Sequence, residues 1–369
     1  MSKYLNKIKV LHIDLENGWR GGQKQALYLL ERELQSGINS HFFCRENSEI
    51  HKILFKNNYP HSAIKYKNEF DLLSAYKIAK YAKNNSCNII NCHSSHSLSI
   101  GLLSKFFYSK PKLIGVRRVD FKISGNFLSK WKYNSHKVDK IVCVSEAIKN
   151  VMKPYIKNKN KLFAIHSGVD TEKYLNYNSE SLKSELGVEN KIVVGTIAAF
   201  ADHKDYPTLI KSAKEILDRR SNIVFVAVGD GELLKQMKNL VKELAIGQNF
   251  IFTGFRTDIG ELLNLFDIFV LSSKEEGLGT SILDAMSVGL PIAATKAGGI
   301  PEIVNDKVNG ILCNIGDCQS LSEAILELAN DEQLRKSYGD NSKELVKEFS
   351  IEVTTQKYLD LYKQLLGKN

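Results

Sequence analysis

At 369 residues, with 43% apolar and 25% charged side chains, the chain has the composition of a folded protein, and its length suits two domains better than one core. No apolar run approaches the roughly 20 residues that cross a bilayer, and the opening Met1–Lys7 stretch lacks the apolar segment of a signal peptide, so a cytoplasmic protein is expected. The formal net charge is +10 and unevenly spread: residues 1–170 carry 29 Lys+Arg against 12 Asp+Glu, and the remainder carries 22 against 29.

In chain order, short β-branched runs alternate with amphipathic segments. Lys9–Asp14 reads as a strand. Gln23–Gln35 reads as a helix, with Ala26, Leu27, Leu30 and Leu34 at helical spacing and Gly37 as its stop. Ser40–Cys44 follows as a strand, Asp71–Lys83 as a helix and Ile89–Cys92 as a buried strand. Leu113–Val116 and Lys140–Val144 are further strands, Glu146–Tyr155 a helix and Leu162–His166 a strand.

A second series begins with strand Lys191–Ala198 and helix Pro207–Arg219, opened by a proline in its first turn. Strand Ile223–Val228, helix Leu233–Glu243, strand Phe250–Thr253, helix Ile259–Phe266 and strand Ile268–Leu271 continue it. Helix Ser281–Val288, strand Pro291–Ala294 and a short helix from Pro301 come next. Leu321–Asn330, Glu332–Leu345 and the tail 351–367 are helical. Strand–helix alternation means parallel sheets covered by helices. Two such series mean two doubly wound α/β domains with a linker near 167–176. Ligands in such sheets bind at the carboxyl ends of strands.

The basic half has its densest stretch at 101–140, where Lys105, Lys110, Arg117, Arg118, Lys130, Lys132 and Lys137 mingle with Phe106, Phe107, Phe127 and Trp131. This mixture suits an anionic membrane surface. No nucleic-acid motif accompanies it, so nucleic acid is not expected as a partner. The six cysteines include two pairs with four residues between them, Cys87/Cys92 and Cys313/Cys318. Neither has the spacing of a zinc site, so reduced, mostly buried thiols and no structural metal are expected.

The most informative segment is Ser272-Ser273-Lys274-Glu275-Glu276-Gly277-Leu278-Gly279-Thr280-Ser281-Ile282-Leu283-Asp284. It lies between a predicted strand and a predicted helix. Gly277 and Gly279 allow close backbone approach, and a helix starting near Ser281 offers free N–H groups and its positive dipole end to a diphosphate. Glu276 before the loop and Asp284, placed in the first turn, are carboxylates suited to sugar hydroxyls. Ser281-Ile282-Leu283-Asp284 also fits a capping-box-like helix start that would explain Asp284 without a ligand.

The segment resembles the signature of the retaining family-4 glycosyltransferases of the GT-B fold, in which two acidic residues are separated by seven intervening positions within an E-G-[FL]-G pattern, as Glu276 and Asp284 are here. Downstream, Gly289-Leu290-Pro291 and Ala297-Gly298-Gly299-Ile300-Pro301-Glu302 resemble further elements of that family. Thr253-Gly254-Phe255-Arg256 resembles its turn near the nucleobase, and Gly229-Asp230-Gly231, Gly168-Val169-Asp170, Gly21-Gly22, His93 and Val144-Ser145 fall in matching order. The resemblance implies a GT-B chain of two Rossmann-like parallel-sheet domains with a cleft between them. Residues 1–170 would bind the acceptor and 171–350 the nucleotide-sugar, and 351–369 would form a helix crossing back to the N-domain.

The implied activity is a metal-independent, retaining transfer of a hexose-like sugar from a nucleotide-sugar, UDP- or GDP-linked, to a lipid-linked or envelope-glycan acceptor. The nucleotide-sugar is a substrate, and no cofactor is expected. The enzyme would sit in the cytoplasm or on the inner face of the cell membrane. Lys204 would stabilise charge on the departing β-phosphate, Glu276 would grip donor hydroxyls, and His93 would face the donor sugar. Gly21, Gly22, Arg256, Gly277, Leu278, Gly279, Thr280, Ser281 and Asp284 would bind the donor. Arg117 and Arg118, near Asp120, and also His203, are candidates for an anionic acceptor or the diphosphate.

Two departures stand out. The second acidic position, usually Glu, is Asp284, and an Arg five residues before the Lys is replaced by Ala199. Ala199 keeps open a non-catalytic nucleotide-sugar-binding relative, and a sugar-nucleotide 2-epimerase is the competing enzyme of the same fold. A nicotinamide-dependent dehydrogenase is disfavoured because no G-x-G-x-x-G follows the first strand.

Overall fold

The computed structural model describes residues 7–118 and 127–367. Asp120, named above beside the two arginines, lies outside them. The chain divides into two compact units, Met1–Gly168 with Ile351–Asn369, and Val169–Ser350.

The first unit holds seven strands, β1 (Lys9–Asp14), β2 (Asn39–Arg45), β3 (His61–Ile64), β4 (Ile89–Cys92), β5 (Lys112–Arg117), β6 (Lys140–Cys143) and β7 (Leu162–Ala164). They form one parallel sheet in the order β3-β2-β1-β4-β5-β6-β7. Its helices are α1 (Gly21–Gln35), α2 (Glu49–Lys56), α3 (Leu72–Asn84), α4 (Ser95–Phe107), α5 (Phe127–Asn134) and α6 (Glu146–Met152). Ser48, Asp71, Ser94 and Ser145 cap α2, α3, α4 and α6, each side chain accepting from a backbone N–H three residues on. That bond satisfies one of the donors every helix start leaves open. The helix expected over Glu146–Tyr155 stops at Met152 and tightens into a 3-10 turn through Pro154, which has no N–H to continue the ladder.

The second unit has β8 (Ile192–Ile197), β9 (Ile223–Val228), β10 (Phe250–Gly254), β11 (Ile268–Leu271), β12 (Ile292–Thr295) and β13 (Gly310–Cys313), all parallel, in the order β10-β9-β8-β11-β12-β13. Around them lie α7 (Glu180–Leu186), α8 (Tyr206–Leu217), α9 (Leu234–Glu243), α10 (Ile259–Leu265), α11 (Thr280–Ser287), α12 (Cys318–Asn330) and α13 (Glu332–Leu345). Ile210, Phe225, Val270 and Ile325 pack in its fully buried core. The last helix, α14 (Ile351–Leu365), belongs to the first unit and packs on α1.

Each sheet thus has the doubly wound order in which strand succession reverses once: between β1 and β4 in the first, between β8 and β11 in the second. Helices leave opposite faces there, and a crevice opens at the carboxyl ends of those strands. All six cysteines are free, five of them buried.

Candidate functional site

In the second unit, the loops that follow β8 and β11 meet at its reversal point. The first contains a 3-10 turn, Asp202–Lys204. The Ser272 hydroxyl donates to the carbonyls of Lys204 and Asp205, both at 3.0 Å, and Lys274 N donates to His203 O at 2.8 Å. The two loops are therefore stitched by backbone and hydroxyl bonds. This places the Lys204 ammonium in an ion pair with the Glu276 carboxylate, both side chains mostly shielded. The Ser273 hydroxyl also donates to Glu276 at 3.3 Å, and Gly299 N donates to Glu276 O at 3.1 Å. Lys204 and Glu276, 72 residues apart, are thus brought together, and the His203 backbone carbonyl joins the same junction.

Gly279 adopts φ +93° and caps α11 with no side-chain bond. Only glycine holds that conformation without strain. The helix begins at Thr280, so Asp284 lies in the second turn, not the first, and α11 has no acidic residue in its first turn. The capping-box reading of Ser281–Asp284 is thereby overturned: backbone geometry at Gly279 ends the loop. The first intrahelical bond is donated by Ile282 N to Gly279 O at 2.9 Å, so the Thr280 and Ser281 amides stand at the open positive end of the helix. Leu278 is buried in the unit's interior, so only its backbone, like that of Gly277, can reach a ligand.

Arg256, after β10, stands apart from this cluster. Its guanidinium bonds Asp258 at 2.8 and 2.5 Å and Glu185 at 2.6 Å. Two carboxylates already occupy it, and its bond in turn holds the Asp258 carboxyl below the usual range. Donor recognition by the free Arg256 side chain, as expected from sequence, would require breaking this arrangement.

In the first unit, Gly21 and Gly22 are the first residues of α1, which begins two residues before the Gln23 start expected from sequence. A Cβ at Gly22 would sit 3.2 Å from Arg118 Cδ, so glycine makes room for that arginine. Arg118 is half-buried at the end of β5, next to Arg117, and not a plain surface charge. Its guanidinium reaches His93 Nδ1 at 3.3 Å. His93, just past β4, is buried, and burial foremost, with His12 and Arg118 nearby, pushes its pKa well below the ordinary histidine range. Both its ring nitrogens have partners, since Nε2 lies 2.9 Å from His12 Nδ1. His12 Nε2 in turn lies 2.8 Å from Glu33 Oε2. Asp14, at the end of β1, is buried, and burial raises its carboxyl to about 6.

His12, Glu33 and Asp14 escaped the sequence reading. The signal was available: His12 interrupts the apolar run Val10-Leu11-His12-Ile13, and Glu33 falls on the stripe of Ala26 and Leu30 that faces the core. A charged residue on a buried stripe is kept only when partnered.

Residues 178–345 match the family described as glycosyl transferases group 1, and residues 19–173 match Glycosyltransferase Family 4. The chain is 30% identical over 326 residues to an uncharacterized glycosyltransferase of Methanocaldococcus jannaschii, with 87% of each chain covered. It is 26% identical to the UDP-Gal:alpha-D-GlcNAc-diphosphoundecaprenol alpha-1,3-galactosyltransferase of Escherichia coli, with 97% of each covered. Anabaena HepE, solved in complex with UDP-glucose, shares the fold with a TM-score of 0.86 at 21% identity, over 97% of this chain and all of that one.

Proposed function

The chain belongs to the family-4 glycosyltransferases of the GT-B fold, and from that premise we propose a retaining transferase that moves a hexose-like sugar from a UDP- or GDP-sugar to a lipid-linked or envelope-glycan acceptor. The observation that carries this is the Lys204–Glu276 pair beside the open amides of Thr280 and Ser281, at the reversal point of the second sheet. A diphosphate arriving there competes with Glu276 for Lys204. Lys204 then turns to the β-phosphate, while the released carboxylate accepts sugar hydroxyls. Charge grows on the β-phosphate as the glycosidic bond breaks, and Lys204 and the α11 amides stabilise it more in the transition state than before. The acceptor hydroxyl attacks from the same face and passes its proton to the leaving phosphate, which gives retention. Asp284, one turn further in, binds ribose hydroxyls. The chain's own cation and amide dipoles supply the stabilisation, and the reading includes no metal or organic cofactor.

The relatives' substrates support the acceptor class, since the Escherichia coli relative is named for a sugar-diphosphoundecaprenol. Among the described residues no helix is long and apolar enough to cross a membrane. The first unit nonetheless exposes Phe70, Leu72, Leu73, Tyr76, Phe106 and Phe107. The Tyr76 and Phe107 rings meet at 5.6 Å, and Lys137 Nζ lies 3.2 Å from the Phe106 ring centre. An apolar patch set among lysines suits an anionic bilayer, so the enzyme is read as peripheral on the inner membrane face. Leu73→Ser with Phe107→Ser should cut cosedimentation with phosphatidylglycerol vesicles at least threefold. Unchanged binding would remove this patch from the reading.

The decisive experiment is a thermal-shift and hydrolysis screen against UDP-, GDP-, ADP- and CMP-sugars. The transferase reading expects one base to raise the melting temperature and its sugar to be slowly released. Stabilisation without any release or transfer would favour the non-catalytic relative that Ala199 leaves open.

A further inference from the structure

Four side chains of the first unit form a continuous line, buried from His93 inwards: Arg118 Nη2 to His93 Nδ1 at 3.3 Å, His93 Nε2 to His12 Nδ1 at 2.9 Å, and His12 Nε2 to Glu33 Oε2 at 2.8 Å. Its inner end is anchored firmly. Glu33 accepts from the Ser40 hydroxyl at 2.5 Å and from the Tyr362 hydroxyl of α14 at 3.0 Å. Glu33 and His12 have no exposed side-chain surface.

The ends decide where the protons lie. A guanidinium has donors only, and an ionised carboxylate has acceptors only. Glu33, already accepting from two hydroxyls, therefore accepts a hydrogen bond from His12 Nε2–H as well. That leaves His12 Nδ1 bare, so it accepts from His93 Nε2–H. His93 Nδ1 is then bare and accepts from Arg118. Any other assignment of two neutral rings sets donor against donor somewhere along the line. The direction of His93's shift, towards the neutral ring, agrees with this order.

The outer end is unusual in its charge. Arg118 makes its direct bond to a neutral imidazole, and among the described residues no carboxylate forms an ion pair with it. Asp14 is near enough to be felt but is engaged by Gln23 Nε2 and Glu16 N. The Arg118 Nε–H is buried without a hydrogen-bond partner among the described residues. The guanidinium is thus oriented while its charge stays uncancelled, and an unspent donor remains, which is how a site for a bidentate oxyanion is prepared.

We propose that Glu33 and His12 are positioning residues, which act through His93 to hold Arg118 at the carboxyl end of the first sheet as the receptor for an anionic oxygen pair of the acceptor. The choice of acceptor rests on the transferase reading above, whereas the relay rests only on this unit's geometry. It also reassigns His93, from a group that touches the sugar to one that orients the arginine.

Two measurements test it. Ring-15N histidine spectra of the full chain at pH 8 should show His12 and His93 both carrying their proton on Nε2. A proton on Nδ1 of either ring, or a doubly protonated ring, overturns the relay whether or not the protein is a transferase. Transfer kinetics then use the nucleotide-sugar found by the screen and a short-chain prenyl-diphosphate-linked sugar as acceptor. Glu33→Gln removes the charge that fixes the order of the line and leaves one acceptor oxygen for His12, Ser40 and Tyr362 in place of two. It should raise acceptor KM about tenfold while donor KM and kcat stay within twofold. Arg118→Ala should do at least as much, and Glu33→Gln should add nothing in that background. Independent, multiplicative effects would overturn action through Arg118, and a rise in donor KM instead would move the anion to the donor. If Glu33→Gln does not fold, His12→Gln completes the same cycle.

Discussion

Each unit carries a cation beyond the carboxyl end of one of its strands, Lys204 after β8 and Arg118 after β5, and the two handle it in opposite ways. In the second unit, Lys204 is neutralised by Glu276 across two loops. In the first, Arg118 is held by a neutral histidine whose own support runs back to a buried carboxylate. A paired lysine is a charge in storage, available once a stronger anion displaces its partner. An arginine on a neutral support is a charge already on display. The difference shows that a strand-end position fixes where a charge can act, while the neighbouring side chain fixes when.

The largest effect should come from breaking the stored pair. Lys204→Ala and Glu276→Ala should each lower kcat by about 100-fold or more, with melting temperatures within a few degrees of the parent, since the pair sits in loops outside the core. Near-normal turnover in both folded variants would undo the site and the comparison with it. A smaller loss is expected at Gly279. A side chain at φ +93° costs about 1–2 kcal/mol, and its Cβ would lie 3.2 Å from Ile282 Cδ1. Gly279→Ala should therefore lower stability by about that amount in urea titration and weaken binding of the preferred nucleotide several-fold in calorimetry.

A pH-dependent effect sharpens the first unit's side. Asp14 has its carboxyl raised to about 6 by burial, against an unfolded value of about 3.9. The folded state keeps this proton where the unfolded chain has lost it, so the contribution is full below about pH 4 and is lost as pH rises towards 6. Asp14→Asn should then stabilise the protein at pH 8, by at most about 3 kcal/mol, with the advantage fading below pH 4. Urea midpoints at the two pH values check both the size and the sign.

Much of the fold was readable because the strands of doubly wound sheets are short apolar runs with marked ends. β1, β4, β9 and β11 fall where Lys9–Asp14, Ile89–Cys92, Ile223–Val228 and Ile268–Leu271 were read. What escaped lacked that contrast. β3 is His61-Ser62-Ala63-Ile64, with one β-branched residue, and α4 opens on Ser95-His96-Ser97, which reads as loop until Ser94 is seen capping it. α2 and α7 are only 8 and 7 residues long, too short for a clear period. At the site, spacing along the chain found Lys204, Glu276 and the glycine loop, because each follows a strand. It could not find the Arg118–Glu33 line, whose members come from β1, α1 and the ends of β4 and β5 and meet only in the folded sheet.

α14 carries one more consequence, in the order of synthesis. Tyr362, whose hydroxyl donates to Glu33 and accepts from Asn91, is translated 329 positions after its partner. A nascent chain leaving the ribosome has made all of β1–β7, and then every residue of the second unit, before this hydroxyl exists. Until then Glu33 lacks one of its three donors, and the face of α1 that α14 covers stays open to solvent. The second unit is contiguous in sequence and can close on its own timetable, whereas the first must wait for the last helix to be delivered.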